Sequence, residues 1–242
     1  MFSPASLRRG KPLFVSFSGI DGAGKSTQIE ALRSCASQAG LRVQLLAFWD
    51  NIAVLTRYRD VASHTLFRSE RGIGAPGSPV NRRDKNVQSW YMTPVRFAIY
   101  FLDALSLRIV STKAADNGTG VIIFDRYVYD ELANLQLSSR FTRLYARLLL
   151  LVAPQPDIAY FLDADPVQAR ERKPEYPLEF LHLSRARYLA LAKMADMTVI
   201  GSGTADEVGS EVMRCFWRRC DVMGSDPQSV QTADVTPKEQ PL

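Results

Sequence analysis

One short segment near the amino terminus, residues 13–27, reads LFVSFSGIDGAGKST. Its first half is an apolar run of the kind that forms a buried strand. Its second half fits the pattern G-x-x-x-x-G-K-[ST], with Gly19, Gly24, Lys25 and Ser26 at the fixed positions. In this pattern, backbone N–H groups bind phosphate, the lysine adds positive charge and the hydroxyl reaches Mg²⁺. The segment therefore predicts a site for the phosphates of a nucleotide and their metal ion.

The predicted surroundings of the loop are those that the motif requires, a strand before it and a helix after it. Ile29, Leu32 and Ala36 recur at helical spacing, and Gly40 occupies a position at which a helix would end. A glycine-rich turn without a ligand is the alternative interpretation. The residues that we expect to bind the nucleotide are Gly19, Gly22, Ala23, Gly24, Lys25, Ser26 and Thr27.

Length and composition, 242 residues of which 46% are hydrophobic, are those of an ordinary globular protein with one or two domains. The longest apolar run, residues 97–110, is shorter than the roughly 18–20 residues that span a bilayer. Residues 1–11 contain no apolar signal core, so we expect neither secretion nor membrane insertion. The three cysteines lack metal-ligand spacing, and their odd number favours a reducing cytoplasm over a disulfide framework.

The net charge of +5 raises the question of nucleic acid as a partner. The basic residues are spread along the chain, however, and a site for several phosphates itself requires arginines. We therefore do not expect nucleic acid to be the main partner.

Strands alternate with helices between a leader, residues 1–11, and a tail, residues 221–242, both of which we expect to be disordered. The alternation across residues 12–220 predicts an α/β fold of the P-loop NTPase type, with three layers, a central parallel sheet and helices on both faces. The helix expected at residues 94–111 is apolar on nearly all sides, so we expect it to be central. The expected strands span residues 13–17, 41–49, 121–124, 158–162 and 198–200, and the other helices span residues 140–152, 178–194 and 206–219.

Residues 57–93 do not fit this alternation, because basic residues are mixed there with glycines and prolines, as at Arg68, Gly72 and Pro76. A long irregular segment within a compact domain is usually functional or disordered. A functional segment and a solvated surface loop are the two interpretations.

A second phosphate-binding element is expected where the strand at residues 121–124 ends. Asp125 suits a magnesium-bound water there, because Mg²⁺ usually keeps several waters and takes one or two carboxylates. Arg126 would then offer a fork of donors to the phosphates. The expected metal ligands are thus Ser26 and Asp125, whereas a purely structural Asp–Arg pair is the alternative.

A third basic element, with Arg170, Arg172 and Lys173, follows the helix expected to begin at Pro166. Cations that close over a transferring phosphoryl group stabilise its transition state. The segment at about 170–179 therefore predicts a mobile lid. A solvated helix end with ordinary charges is the alternative.

With these elements, the chain resembles the thymidylate kinase family of nucleoside monophosphate kinases. The likeness is carried by residues 18–27, which read SGIDGAGKST, and by the Asp-Arg-Tyr motif at residues 125–127. Residues 160–166 and 180–192 are similar to the strand and helix that lead into the family's lid and to the helix after it. The resemblance implies a kinase that uses ATP and Mg²⁺ on a nucleotide-like acceptor.

The resemblance also implies roles for individual residues. In the family, the acid at the position of Asp21 touches the acceptor, and the catalytic arginine comes from the loop in some members and from the lid in others. Gly22 and Ala23 occupy the loop here, so the chain is similar to the lid-arginine type. Residues 201–205 would lie near the adenine. The catalytic residues implied in this way are Lys25, Arg126 and either or both of Arg170 and Arg172.

The acceptor side departs from the family pattern. Residues 48–51 read FWDN where the family has an arginine-bearing motif, and Ala104 follows Asp103 where the family has Asp-Arg. Arg96 or a cation from residues 57–85 could replace the missing arginine, which would make residues 57–93 an atypical acceptor-side segment. After the Asp-Arg-Tyr motif, Tyr129, Asp130 and Asn134 stand where the family usually has a serine and a Tyr-Gln pair.

Trp49 and Phe97 could stack on a base, although apolar positions of this kind are more often core. The acceptor-binding candidates are Asp21, Trp49, Arg96 and Phe97.

The sequence thus predicts an ATP-dependent phosphotransferase that resembles thymidylate kinase and acts on a nucleoside monophosphate or a related small acceptor. Its partners would be ATP and that acceptor, without nucleic acid or membrane, and a homodimer is compatible with the resemblance. A nucleotide-binding regulatory module without kinase activity and a kinase for a non-nucleotide acceptor are the alternatives.

Overall fold

The computed structural model describes residues 12–53, 92–116, 120–135, 137 and 139–224. The predicted leader lies outside these residues, and so does all of the segment 57–93 except its last two residues. Within them, the elements follow the predicted alternation of strands and helices. In chain order they are β1 (Leu13–Ser18), α1 (Lys25–Gln38), β2 (Val43–Ala47), α2 (Met92–Asp116), β3 (Val121–Asp125), α3 (Val128–Leu132), α4 (Arg140–Val152), β4 (Ile158–Leu162), α5 (Pro166–Arg172), α6 (Leu178–Met194), β5 (Thr198–Ile200) and α7 (Ala205–Gly224).

The five strands form one parallel sheet in the order β2-β3-β1-β4-β5. Its central strands are continuous apolar runs because helices cover both of their faces, and β3 and β4 are almost wholly buried. After β1, the chain first forms β2 and β3 on one side of β1 and then forms β4 and β5 on its other side. Since such crossovers are right-handed, α1 and α7 lie on one face, and α2, α4 and α6 lie on the other. This is the predicted three-layer α/β fold of P-loop NTPases.

The register of the sheet places the functional segments at one edge. Phe17 of β1 pairs with Asp125 of β3 on one side and with Tyr160 of β4 on the other. The loop after β1 therefore emerges between the carboxyl ends of β3 and β4. This is the point at which the strand order reverses, where ligands bind in open parallel sheets.

Two elements differ from the sequence prediction. The strand expected at residues 41–49 is shorter, because Phe48 begins a π-helical turn, Phe48–Ile52, that continues the apolar run in another conformation. The helix expected at residues 94–111 is longer, Met92–Asp116, and its expected central position is wrong, since Leu105 and Ile109 are exposed to solvent. Helix α7 also continues past residue 221 to Gly224, and the rest of the predicted tail lies outside the described residues. In the part of the chain that the structure describes, no helix combines the length and the apolar composition needed to cross a membrane.

Candidate phosphate-transfer site

The loop after β1 folds as the motif predicts, with its glycines in conformations that other residues rarely adopt. Gly22 and Gly24 have φ values of 84° and 85°, and α1 begins directly after them at Lys25. The amino terminus of α1 therefore points its free N–H groups into the loop, where an anion is favoured. Ser26 and Thr27 lie exposed in the first turn of this helix.

The loop also touches its neighbours closely. A Cβ atom added to Gly19 would lie 2.8 Å from the backbone oxygen of Leu162 at the end of β4. One added to Gly22 would lie 2.2 Å from the backbone oxygen of Ala169 in α5, which is closer than real Cβ atoms come to other atoms. Position 22 thus has no room for a side chain, so an arginine cannot be supplied from this part of the loop.

Lys25 is buried, and its ammonium group donates hydrogen bonds to the backbone oxygens of Gly19 at 2.8 Å and of Ile20 at 3.0 Å. Burial lowers its pKa to about 8, and the charge of Arg126 adds to this effect. The carboxylates of Asp130, Asp21 and Asp125 act in the opposite direction. The lysine is therefore close to Arg126, Asp21 and Asp125, which the sequence predicted to share its site, and also to Asp130, which the sequence did not predict there.

Arg126 follows the end of β3 in a left-handed conformation, with φ of 69°, and its N–H donates to the backbone oxygen of Phe17 at 3.1 Å. Such a conformation in a non-glycine residue costs free energy and is found preferentially at functional sites. The guanidinium group donates to Asp21 Oδ1 at 2.5 Å, and another of its nitrogens lies 3.6 Å from Asp130 Oδ1. Burial works against its charge, but Asp130 and Asp21 outweigh burial and raise the pKa of Arg126 above its ordinary value.

The third predicted basic element forms the end of α5. Asp165 caps this helix by accepting hydrogen bonds from the N–H groups of Val167 at 3.0 Å and Gln168 at 3.1 Å. Arg172, in its last turn, places a guanidinium nitrogen 3.8 Å from the position of a Cβ atom on Gly24. Arg170 is exposed in the same turn. The structure therefore brings Arg172 against the phosphate loop.

A cavity of about 200 Å³ lies beside the loop, between α1, the end of β4 and the segment after β5. Gln28 of α1 holds that segment in place by donating to the backbone oxygen of Ala205 at 3.0 Å. The resemblance to thymidylate kinases implied that residues 201–205 lie near the adenine, and all of them except Thr204 line this cavity together with Arg172.

Helix α6 is fixed to the end of β4 by a two-pronged ion pair. Arg185 donates to both carboxylate oxygens of Asp163, at 2.6 and 2.8 Å. Sequence reasoning did not identify this pair, nor the contacts of Asp130 and Tyr188 described below. Arg126 and Asp130 are four residues apart, but Arg126 precedes α3 and has a left-handed backbone, so helical spacing did not indicate their contact.

The acceptor-side candidates have different surroundings. Asp21 lies in the loop and binds Arg126, as described above. Trp49 lies on the π-helical turn, half exposed, with its ring edge-to-face against Phe48 at 5.3 Å. Phe97 of α2 stacks on Tyr145 of α4, with ring centroids 4.3 Å apart, so part of its surface is used in packing between helices. The preceding residue on α2, the candidate Arg96, is half-buried.

The residues predicted to bind Mg²⁺ carry the oxygen donor atoms that this ion prefers. Asp125 provides a carboxylate at the end of β3, and Ser26 provides a hydroxyl in the first turn of α1. Both are hard oxygen donors, and Mg²⁺ in phosphate sites takes one or two carboxylates together with phosphate oxygens and waters. Within the described residues, no group of three or more His, Cys, Asp or Glu side chains is arranged to hold a metal ion.

Several known proteins are similar to this chain. The thymidylate kinase of Bifidobacterium longum strain DJO10A is 29% identical over 165 residues, covering 66% of this chain and 70% of that protein. The probable thymidylate kinase of Methanosphaera stadtmanae is 24% identical over 212 residues, covering 84% of this chain and 98% of that protein. No protein-family model matches the chain.

Among solved structures, the thymidylate kinase from Ehrlichia chaffeensis superimposes with a TM-score of 0.57 at 19% identity, covering 86% of this chain and 99% of that one. At this identity the match supports the fold. The sequence similarity to these thymidylate kinases supports a nucleotide kinase-like phosphotransferase.

Proposed function

We propose that this chain, which is similar to thymidylate kinases in sequence and fold, transfers the γ-phosphate of ATP to a nucleoside monophosphate or a related small acceptor, with Mg²⁺ as the metal ion. The observation that carries the proposal is the meeting of three segments at the phosphate loop. These are the loop itself with Lys25, the end of β3 with Asp125 and Arg126, and the end of α5 with Arg172.

The chemistry of phosphoryl transfer requires little covalent work from the protein, so positioning and charge neutralisation carry the rate. Lys25 and the loop N–H groups would hold the β- and γ-phosphates. Arg172 would meet the charge that spreads over the transferring group, and Arg126 would face it from the other side. Ser26 and Asp125 would hold Mg²⁺, which neutralises phosphate charge when bound.

The two alternatives rest on the acceptor side. Asp103 is followed by Ala104, so α2 lacks an arginine at that position, and Arg126 is engaged by two carboxylates. A kinase for a non-nucleotide acceptor would use the same donor site with a different acceptor pocket. A regulatory module would bind ATP at the loop without transferring its phosphate.

The deciding experiment is a transfer panel with γ-labelled ATP and Mg²⁺ over all common nucleosides and nucleoside monophosphates. We expect transfer to at least one acceptor, its loss in Lys25→Ala, and its retention in Lys193→Ala, which removes an exposed lysine of α6 far from the loop. Circular dichroism checks that each variant is folded. ATP binding by calorimetry without transfer to any acceptor favours the regulatory module, and failure to bind ATP contradicts the whole proposal.

We further infer a homodimer, because α2 and α4 pack side by side and expose an apolar surface. Tyr145 of α4 donates to the backbone oxygen of Phe97 of α2, which holds the helices together. The exposed residues of α4 are spaced by three and four positions, as in helices that pair with other helices. The surface is formed by Leu102, Leu105 and Ile109 of α2 and by Phe141, Leu144, Leu148 and Leu151 of α4.

A charge on this surface should prevent dimer formation. We expect Leu148→Glu to sediment as a monomer and Leu183→Glu, a similarly exposed leucine of α6, to sediment as the wild type does. A monomeric wild-type chain at micromolar concentration contradicts this inference.

We also propose a cytoplasmic location, which the free thiols of Cys35, Cys215 and Cys220 support.

A further inference from the structure

Asp130 is a buried carboxylate that joins three parts of the phosphate-transfer site. It lies in α3, one turn after Arg126, and only 3% of its surface is exposed. One oxygen accepts hydrogen bonds from Ser18 Oγ at the end of β1, at 2.7 Å, and from the N–H of Tyr127 at 3.0 Å. The other oxygen accepts from the hydroxyl of Tyr188 at 2.8 Å. Its position is therefore fixed from three sides.

The second oxygen also lies 3.6 Å from a guanidinium nitrogen of Arg126. Arg126 is thus held between two carboxylates that differ in exposure, since Asp130 is almost fully buried and Asp21 is only partly so. Asp21 belongs to the phosphate loop, outside any helix or strand. Asp130 belongs to a helix and is tied by hydrogen bonds, so it is the more rigid of the two supports.

Tyr188 connects this support to the helix that follows the lid. Its ring stacks on Phe161 of β4, with centroids 5.3 Å apart and an interplanar angle of 14°. Burial raises the pKa of the Tyr188 hydroxyl well above its usual range, so the group remains a donor at any physiological pH. The chain runs from α5, which carries Arg172, through a short turn into α6, which carries Tyr188. The lid arginine and the support of Arg126 are therefore connected through one helix pair.

We propose that Asp130, held by Tyr188, is a positioning residue that keeps the guanidinium group of Arg126 aimed at the transferring phosphate while Asp21 turns to the acceptor. The inference rests on the proposed function for its effect on rate, but the positioning itself is a property of the folded chain. A catalytic cation must be held within a fraction of an ångström of its productive position, because displacement by about 1 Å costs about 100-fold in rate.

Removal of a single hydroxyl group tests the proposal with little risk to folding. Tyr188→Phe keeps the ring stacked on Phe161 and removes the hydrogen bond to Asp130. We expect kcat to fall about tenfold and KM for ATP to stay within about twofold, because a mobile guanidinium group is in its productive position for only part of the time. The matched control is Tyr160→Phe, which removes another buried hydroxyl with a 2.8 Å hydrogen bond, to the backbone oxygen of Val212.

A second measurement does not depend on turnover. The Nε–H resonance of Arg126 in ¹⁵N-labelled protein, assigned by its loss in Arg126→Gln, reports whether the guanidinium group is rigid. We expect a rigid group in the wild type and in Tyr160→Phe, and a mobile one in Tyr188→Phe. If the wild type transfers phosphate to no acceptor but Arg126 becomes mobile in Tyr188→Phe, the proposed function fails and the positioning inference stands.

Two results overturn the inference. One is an Arg126 group that stays as rigid in Tyr188→Phe as in the wild type. The other is an equal fall of kcat in Tyr188→Phe and Tyr160→Phe, which would mean that both variants act through general stability. Asp130→Asn, which keeps the shape of the side chain and removes its charge, provides a second variant and should lower kcat further while Arg126 becomes mobile.

Discussion

The contact between Gly22 and α5 provides a stringent test of how the phosphate loop and α5 are joined. We consider the variant Gly22→Ala, which adds a single methyl group. In the wild type, the position of that methyl group is 2.2 Å from the backbone oxygen of Ala169. Because Ala169 belongs to the helix that carries Arg172, the variant should push Arg172 away from the loop.

The size of the effect follows from two contributions. The left-handed backbone of Gly22, with φ of 84°, costs an alanine about 1–2 kcal/mol. The distance to the oxygen must also grow from 2.2 Å to at least 3.0 Å, a displacement of 3.0 − 2.2 = 0.8 Å. Overpacking of this kind costs a further ~1–3 kcal/mol. Gly24→Ala separates the two, because Gly24 has a similar φ of 85° but only Arg172 Nη1, at 3.8 Å, near its added methyl group.

Thermal unfolding and steady-state kinetics measure these contributions. We expect Gly22→Ala to unfold about 2–12 °C below Gly24→Ala, since 1 kcal/mol corresponds to about 2–4 °C for a domain of this size. The kcat of Gly22→Ala should fall by about 100-fold, because the guanidinium group of Arg172 is displaced by nearly 1 Å. If the two variants have the same Tm, or if Gly22→Ala keeps the kcat of the wild type, then α5 does not rest on the loop in the way described.

Three further predictions concern charge and capping. The affinity for Mg·ATP should fall as the pH rises through 8, by about tenfold per pH unit at most, because burial lowers the pKa of Lys25 to about 8 and phosphate binds the protonated form of the lysine. Calorimetry from pH 7 to 9.5 measures this loss of affinity. A steeper loss of affinity in Lys25→Met than in the wild type would contradict the prediction. Asp163→Asn should lower Tm by about 2–4 °C at low salt and by less in 1 M salt, because the ion pair of Asp163 with Arg185 is partly exposed and salt screens it. A decrease in Tm that does not depend on salt would argue against an electrostatic role of the pair. Ser139→Ala should lower Tm by about 2–4 °C without changing kcat. The reason is that Ser139 caps α4 by accepting a hydrogen bond from the N–H of Thr142 at 3.0 Å. An unchanged Tm would show that the cap contributes nothing to stability.

The fold of the phosphate loop and of the strands beside it could be predicted from sequence because its determinants are local. The loop motif requires glycines at positive φ and a helix immediately after them, and the chain supplies both within residues 13–40. The strands β4 and β5 begin and end where the apolar runs predicted them, and β3 is longer by one residue. Strands buried on both faces are continuous apolar runs, which makes their bounds visible in the sequence.

Other features depend on contacts that no local pattern contains. The apolar run that begins at β2 continues into Phe48 and Trp49, but hydrophobicity does not distinguish a strand from a π-helical turn. The apolar surface of α2 resembled that of a core helix, although part of it faces solvent. Asp130 and Tyr188 are 58 residues apart, so their hydrogen bond depends on how α3 and α6 meet. Only the fold could reveal it.

The charges at the loop bear on which acceptor the site can take. Lys25 is influenced by three carboxylates, and Arg126 is engaged by two of them. A donor nucleotide would bring Mg²⁺, which would offset its negative charge, whereas a monophosphate acceptor would bring about two negative charges without a metal ion. An uncharged hydroxyl acceptor therefore costs less electrostatic free energy at the described part of the site. Efficient use of a monophosphate would require further cations, and Arg96 and the basic residues of the segment 57–93 are the ones that the sequence offers. The ratio of kcat/KM for a nucleoside and its monophosphate thus measures how far those cations contribute to the acceptor site.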